Sequence, residues 1–210
     1  MKEIQSTKQS SDILKQVDDF FMKTGPVHNT LRKVTQRLAK ENIDYVIVGG
    51  MALALHGFVR PTQDVDLLLT PAGLEDFRKA LVGLGYVPLF AGARKHFKDA
   101  ETGVKIEIIT TGEYPGDIRP KPVAFPAPTD AATSIDGCQV LRLENLIELK
   151  LASAMSAPHR ELRNFADVQQ LIATLGLAQD FAMRLDKSVR AQYDRLWNLA
   201  QLTRAEENSE

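Results

Sequence analysis

The sequence predicts an α+β fold, a mixed sheet with helices followed by a helical C-terminal region, on three observations. Short apolar runs, Tyr45-Val46-Ile47-Val48, Leu67-Leu68-Leu69 and the alternating Gly103 to Thr110, read as strands. Between and before them lie stretches with apolar residues at helical spacing. From Leu143 to about residue 203 the pattern is helical, broken at Pro158 and Gly176. These shifts divide the chain into a core with N-terminal helices, residues 1–140, and a helical region packed on it, residues 141–210.

Taken in order, residues 10–22 and 29–41 predict two amphipathic helices bracing the sheet, with Ile13, Leu14, Val17, Phe20 and Phe21 striping the first and Leu31, Val34 and Leu38 the second. The strand at 45–48 ends in Gly49-Gly50, and the helix formers Met51 to Leu55 follow. Pro71-Ala72-Gly73 opens a helix over 72–84, ended near Gly83-Leu84-Gly85. Tyr86 to Leu89 and Arg94 to Asp99 read as short strands, and Glu101-Thr102-Gly103 as a turn into the next one. From Thr110 to Thr133 the chain is proline-rich and aperiodic. So long an irregular segment is uncommon in a compact domain, and it reads either as a functional loop over a pocket or partner, or as a rigid surface connection. Asp136-Gly137 predicts a hairpin between Ser134 and Val140, and Glu206 to Glu210 a frayed tail.

Bulk composition excludes more than it assigns. A chain of 210 residues with 44% hydrophobic content can bury a substantial core. No apolar run approaches the roughly 18–20 residues that span a bilayer, and Met1 to Ser6 lacks the apolar core of a secretory signal, so a cytoplasmic protein without membrane contact is expected. The single Cys138 excludes an intramolecular disulfide and a cysteine-based zinc cluster, and reads as a buried structural thiol. A net charge of −1 gives no global attraction to nucleic acid. A polynucleotide would need a local basic surface, for which Arg160, Arg163, Arg184, Lys187, Arg190, Arg195 and Arg204 supply cations, although most are interleaved with acids as on a solvated face.

The informative stretch runs from Gly49 to Leu69. Glycines at a strand end before a helix allow positive φ and close backbone approach, leaving N–H groups free to face a phosphate. Asp64 and Asp66 flank Val65 at the start of the next strand, and period-two geometry puts both carboxylates on one face, attached about 6–7 Å apart. Burying two like charges side by side is costly without a cation, and oxygen donors suit hard divalent ions. Such ions neutralise developing charge in phosphoryl and nucleotidyl transfer. Glu107, on the opposite face of its strand from Val104, Ile106 and Ile108, is the candidate third acid, as a metal ligand or as the base for an incoming hydroxyl. Its bland alternative is a charged face shared with Lys105.

A Gly-Gly turn, then Arg60-Pro61-Thr62-Gln63-Asp64-Val65-Asp66, then an acid on a later strand resembles the DNA polymerase β-type nucleotidyltransferase superfamily. Within it the chain looks most like the AbiEii-type toxin nucleotidyltransferases, which also carry a helix with an embedded lysine, here Leu146 to Ala152, and an Arg/Asp-rich helix, here Arg160 to Val168. The similarity spans roughly residues 40–175. It implies a polymerase-β-like core in which Asp64, Asp66 and Glu107 hold Mg²⁺ or Mn²⁺, and Gly49 and Gly50 meet the phosphates of an NTP substrate. It places Arg60 and Thr62 at the site's edge, Lys150 against the triphosphate and Asp167 where it orients or pairs a basic group. It further implies transfer of NMP to an acceptor hydroxyl on RNA, such as tRNA, and an antitoxin protein as partner. Two positions depart from the commoner pattern, Gly50 for serine and Glu107 for aspartate.

Two other readings stand beside this one. Gly-Gly turns followed by an Arg-x-x-x-Asp-x-Asp run also resemble aminoglycoside nucleotidyltransferase-like proteins, implying a small-molecule acceptor, and the fold alone is compatible with an inactive nucleotide-binding or partner-binding module. For single residues the structural alternatives are a snorkelling Lys150 and a surface ion pair between Asp167 and Arg163. His56 and His96 lack ligand partners at metal spacing, and Arg94, Lys95 and Lys98 form either a solvated basic face or a triphosphate contact.

Overall fold

The computed structural model describes residues 22–207. The helix expected at 10–22 and the tail from Asn208 lie outside the described residues, apart from Met22 at its edge. Helix α1, Pro26–Lys40, starts on a proline, which fits the first turn, and buries the stripe Leu31, Val34 and Leu38. The fully buried β1, Tyr45–Ile47, follows, and α2, Gly49–Leu55, begins on the two glycines. Strand β2, Asp64–Leu69, leads into α3, Pro71–Leu81, whose first turn is capped by the Thr70 hydroxyl accepting from the Gly73 N–H. This helix buries Leu74, Phe77 and Leu81 and stops three residues short of the expected end, where the chain turns at Gly83.

Three strands complete that side of the sheet: β3, Tyr86–Pro88, β4, His96–Asp99, and β5, Lys105–Thr110. After the proline-rich segment come the single-turn α4, Pro128–Ala131, and a hairpin of β6, Ala132–Ile135, and β7, Cys138–Leu141. The hairpin turns on Asp136 and Gly137, both at positive φ, as expected of an Asp-Gly two-residue turn. Cys138 opens β7 half-buried rather than fully enclosed. Helices α5, Leu143–Ser156, and α6, Pro158–Leu175, a 3₁₀ turn at Gln179–Arg184 and α7, Lys187–Glu207, make up the C-terminal part, with breaks at the expected Pro158 and Gly176.

The seven strands form one mixed sheet in the order β3-β4-β5-β2-β1-β7-β6. Strand β2 sits antiparallel to β1, with Ile47 opposite Leu67, and parallel to β5, with Asp66 beside Glu107. Leu67, Leu68 and Leu69 are fully buried, so the register of β2 is held by its apolar end while its polar start reaches the sheet's C-terminal rim beside β1. Sheet residues Val46, Ile47 and Ile108 share a continuous buried cluster with Ile147, Leu151, Val168 and Leu171 of α5 and α6. Apolar packing therefore sets the two long helices against the rim that carries the acids. No helix is long and apolar enough to cross a membrane among the described residues.

Candidate active site

Two turns of chain and two strands build one end of a cavity of about 490 Å³. Val48, the last residue before the glycines, donates its N–H to the Asp66 carbonyl at 3.0 Å, which ties the turn to β2. Gly49 has φ +63°, and a Cβ there would sit 1.9 Å from Asp66 Oδ2. At Gly50 a Cβ would lie 2.8 Å from the Thr62 hydroxyl and 2.9 Å from its Cβ. The glycines are thus required by two side chains of the same site, and the departure from serine at Gly50 has a steric cause: Thr62 occupies that space. Thr62, buried, donates its hydroxyl to Asp64 Oδ1 at 2.9 Å and so fixes the first carboxylate.

Glu107 lies directly beside Asp66 across the parallel ladder, a spacing of about 4.7–4.9 Å between strands. Asp64, Asp66 and Glu107 all line the cavity with Gly49 and Gly50. Burial, then the charges of Asp64 and Glu107, push the Asp66 carboxyl up to about 7, against the opposing pull of Lys150 and Arg160. The protein's own cations leave this acid cluster under-compensated, and its hard oxygen donors suit a divalent ion such as Mg²⁺ or Mn²⁺. Among the described residues no three His, Cys, Asp or Glu side chains stand close enough together to hold a metal ion as they are, so the acids share a cavity without forming a preassembled shell.

The opposite wall comes from α5 and α6. On α5, Leu146, Leu149, Lys150 and Ser153 recur at the spacing of one helical face and line the cavity together. Lys150 does not snorkel. It is buried, and its ammonium donates to Asp167 Oδ2 at 2.8 Å. Arg60 donates to the same carboxylate through Nε, 2.7 Å from Oδ1, and through Nη2, 3.0 Å from Oδ2. Asp167 therefore pairs with Arg60 and Lys150, and the surface pair with Arg163 is not formed; Arg163 faces the cavity instead. Burial raises the Asp167 carboxyl, but the Arg60 hydrogen bonds and the Lys150 charge outweigh it and hold the group below its ordinary range. Burial pulls the Lys150 ammonium down, with Asp167 opposing. Arg60, Thr62 and Lys150 line the cavity; Asp167 stands behind Arg60 and Lys150 rather than on its surface.

Other expectations resolve differently. His56 bonds the Leu141 carbonyl at 2.7 Å through Nε2, a structural tie between α2 and β7. His96 sits opposite Glu107 on β4 but does not line the cavity. The basic cluster does not line the cavity: Arg94 meets Glu75 at 3.6 Å, Lys95 is paired with Glu113 and Thr110, and Lys98 is exposed. The proline-rich segment, in contrast, reaches the site, contributing Glu113, Tyr114, Pro115, Gly116, Ile118 and Phe125 to the lining. Lys121 anchors it, donating to the Pro115 carbonyl at 2.6 Å and to Ser156 Oγ at 2.8 Å. Sequence reasoning missed Ser153 and His159. Ser153 follows Lys150 by one turn of the same helix, a spacing that signals a shared face; nothing in the local pattern singles out His159, brought in with Arg160 at the start of α6.

Comparison with solved structures places this arrangement among known folds. The crystal structure of ANT(2″)-Ia in complex with adenylyl-2″-tobramycin matches with TM-score 0.51 at 16% identity, covering 79% of this chain and 95% of that one. A candidate nucleotidyltransferase from Thermotoga maritima matches with TM-score 0.46 at 22% identity, covering 66% of this chain and 91% of that one. Another, from H. pylori, gives 0.45 at 17% identity, covering 86% and 94%. A search of curated proteins by sequence found no match. The fold is the α+β, polymerase-β-like nucleotidyltransferase core followed by C-terminal helices. The family model described as uncharacterised nucleotidyltransferase matches residues 5–201, and the chain belongs to that family of enzymes.

Proposed function

We propose that this enzyme moves NMP from an NTP to an acceptor hydroxyl with release of pyrophosphate, using the site built on Gly49, Asp64, Asp66 and Glu107. One observation carries the reading: three acids from two adjacent strands share a cavity with a turn whose Gly49 has no room for a Cβ beside Asp66. A glycine is required there for close approach, the same property that lets backbone N–H groups reach a phosphate. Asp64, Asp66 and Glu107 would hold Mg²⁺ or Mn²⁺, which when bound neutralises charge on the transferring phosphoryl group. Thr62 keeps Asp64 in place through its 2.9 Å hydrogen bond. Arg60 and Lys150, held together by Asp167, bring positive charge to the triphosphate side of the cavity. In this scheme residues 1–140 supply the catalytic core, and the helices of 141–210 close the site from the other side.

For the acceptor we favour RNA, with tRNA as the simplest case, in an AbiEii-type toxin that is held in check by an antitoxin protein in the cytoplasm. Arg160 and Arg163 line the cavity from exposed turns of α6, a basic wall suited to phosphates and ill suited to a cationic aminoglycoside. Tyr114 and Phe125 face the same cavity and offer aromatic surfaces to a base. Incubation with each α-labelled NTP, Mg²⁺ and total RNA, comparing wild type with Asp64→Ala, tests both levels. Label in RNA from wild type alone is the expected result. Label on an added aminoglycoside but not on RNA transfers the assignment to a small-molecule acceptor, and failure to bind any nucleotide favours the inactive module.

A further inference from the structure

The geometry points to Ser153 as a specificity-determining residue that hydrogen-bonds a ribose hydroxyl of the bound nucleoside triphosphate. The inference rests on the nucleotidyl-transfer reading above and adds a sugar contact to it.

Serine or threonine inside a helix ordinarily turns its hydroxyl back onto the carbonyl one turn earlier. Ser156 does so, donating to the Ala152 carbonyl at 2.7 Å, and Thr35 does the same to Leu31 at 2.9 Å. Ser153, at 6% exposure, does not: its Oγ is buried and has no hydrogen-bond partner among the described residues. A buried hydroxyl left unpaired weakens the fold, whereas alanine at the same helical position carries no such cost and a better helix propensity. The residue lines the cavity on the face that also presents Lys150, one turn nearer the start of α5.

The position along that face selects the ligand group. Lys150 and Arg60 mark the region suited to anionic phosphates, and Asp66 lies close enough to Lys150 for each to affect the other's charge. Ser153 lies about 4.5 Å further along the helix axis, on the scale of the step from a phosphate to its sugar. Pro115 and Gly116 from the proline-rich segment share that wall, and the nearby Lys121 ammonium is already taken up by Asp117, the Pro115 carbonyl and Ser156. A hydroxyl both donates and accepts, which matches another hydroxyl better than it matches a phosphate oxygen or an ammonium. A site built to hydrogen-bond a substrate hydroxyl discriminates against the analogue lacking it, because its own polar group is then left unpaired.

The test is equilibrium binding, with Mg²⁺ present, of ATP, GTP, CTP and UTP to wild type and Ser153→Ala, followed by the 2′-deoxy and 3′-deoxy forms of whichever binds tightest. Wild type is expected to prefer the ribonucleotide over one deoxy form by roughly tenfold, and Ser153→Ala to lose that preference to within about twofold while binding the deoxy form as wild type does. Without nucleotide, Ser153→Ala is expected to melt at or above the wild-type temperature. A lower melting temperature would mean that the hydroxyl serves the fold, and would overturn the assignment. Nucleotide binding by wild type with the same ribo-to-deoxy ratio in both proteins overturns the Ser153 assignment alone. Absence of nucleotide binding by wild type overturns the nucleotidyl-transfer reading and the sugar contact with it.

Discussion

Replacing Asp167 by asparagine should be the most damaging isosteric change in the C-terminal helices, although Asp167 lies outside the cavity surface. Its side chain is 4% exposed and receives hydrogen bonds from both Arg60 and Lys150, the latter 10% exposed. The substituted amide would keep the shape and one acceptor oxygen, but its hydrogens would face cationic donors. Removing one partner of a buried ion pair leaves the other charge uncompensated, at a cost of about 3–5 kcal/mol. Against a total stability on the order of 5–15 kcal/mol this is about a fifth at the least, equivalent to a fall of roughly 6–20 °C in Tm for a chain of this size. Asp76→Asn is the control: its pair with Lys79 is 3.7 Å long with side chains 59% and 75% exposed, and its loss should barely register. The assay is urea unfolding of wild type, Asp167→Asn, Asp76→Asn and the double variant Asp167→Asn/Lys150→Met.

The pH dependence supplies a second arm. Asp167 has its folded pKa depressed, so its contribution is present above the ordinary carboxylate value of 3.8 and is lost as pH falls through the lower folded value. The gap between wild type and Asp167→Asn should be full at pH 7 and close below pH 4. The double variant, with the orphaned ammonium replaced by an apolar side chain, should recover more than half the loss. A gap under about 1 kcal/mol at pH 7, or a double variant no more stable than Asp167→Asn, would refute the buried-network account.

The acid cluster makes the opposite prediction. Asp66 has its folded pKa raised from 3.8 to about 7, so metal-free wild type should lose stability as pH rises from about 4 to about 7 and then level off. Asp66→Asn should raise the unfolding free energy in EDTA at pH 8, by about 2 kcal/mol after solvent access reduces the full linkage value of about 4 kcal/mol, and give no gain at pH 4; no gain at pH 8 would contradict the burial argument. Gly49→Ala should cost roughly 2–5 kcal/mol from overpacking against Asp66 and the left-handed backbone together, and less in an Asp66→Ala background. Equal costs in the two backgrounds would show that the Cβ clash does not decide that position.

The half of the candidate site that carries the acids was legible because it is local. Gly49, Gly50, Asp64, Asp66 and Glu107 lie on elements whose identity follows from runs such as Tyr45 to Val48 and Leu67 to Leu69, and alternation along β2 and β5 assigns each acid a face. The reason for Gly50 was not legible, since it is Thr62, twelve positions away in sequence, that fills the space a side chain would need.

The sequence by itself determined most of the described elements, the turn at Asp136-Gly137, the helix break at Pro158 and the face carried by each acid, because these follow from backbone propensity and side-chain period. Only the tertiary structure decided which charges meet. Asp167 had Arg163 one helical turn away, yet it bonds Arg60 from before β2 and Lys150 from α5, because apolar packing of α5 and α6 on the sheet buries that face and removes the water that would otherwise serve all three groups. Parallel pairing of β2 and β5 in turn brought Glu107 beside Asp66, a neighbour relation that register sets and no local pattern encodes.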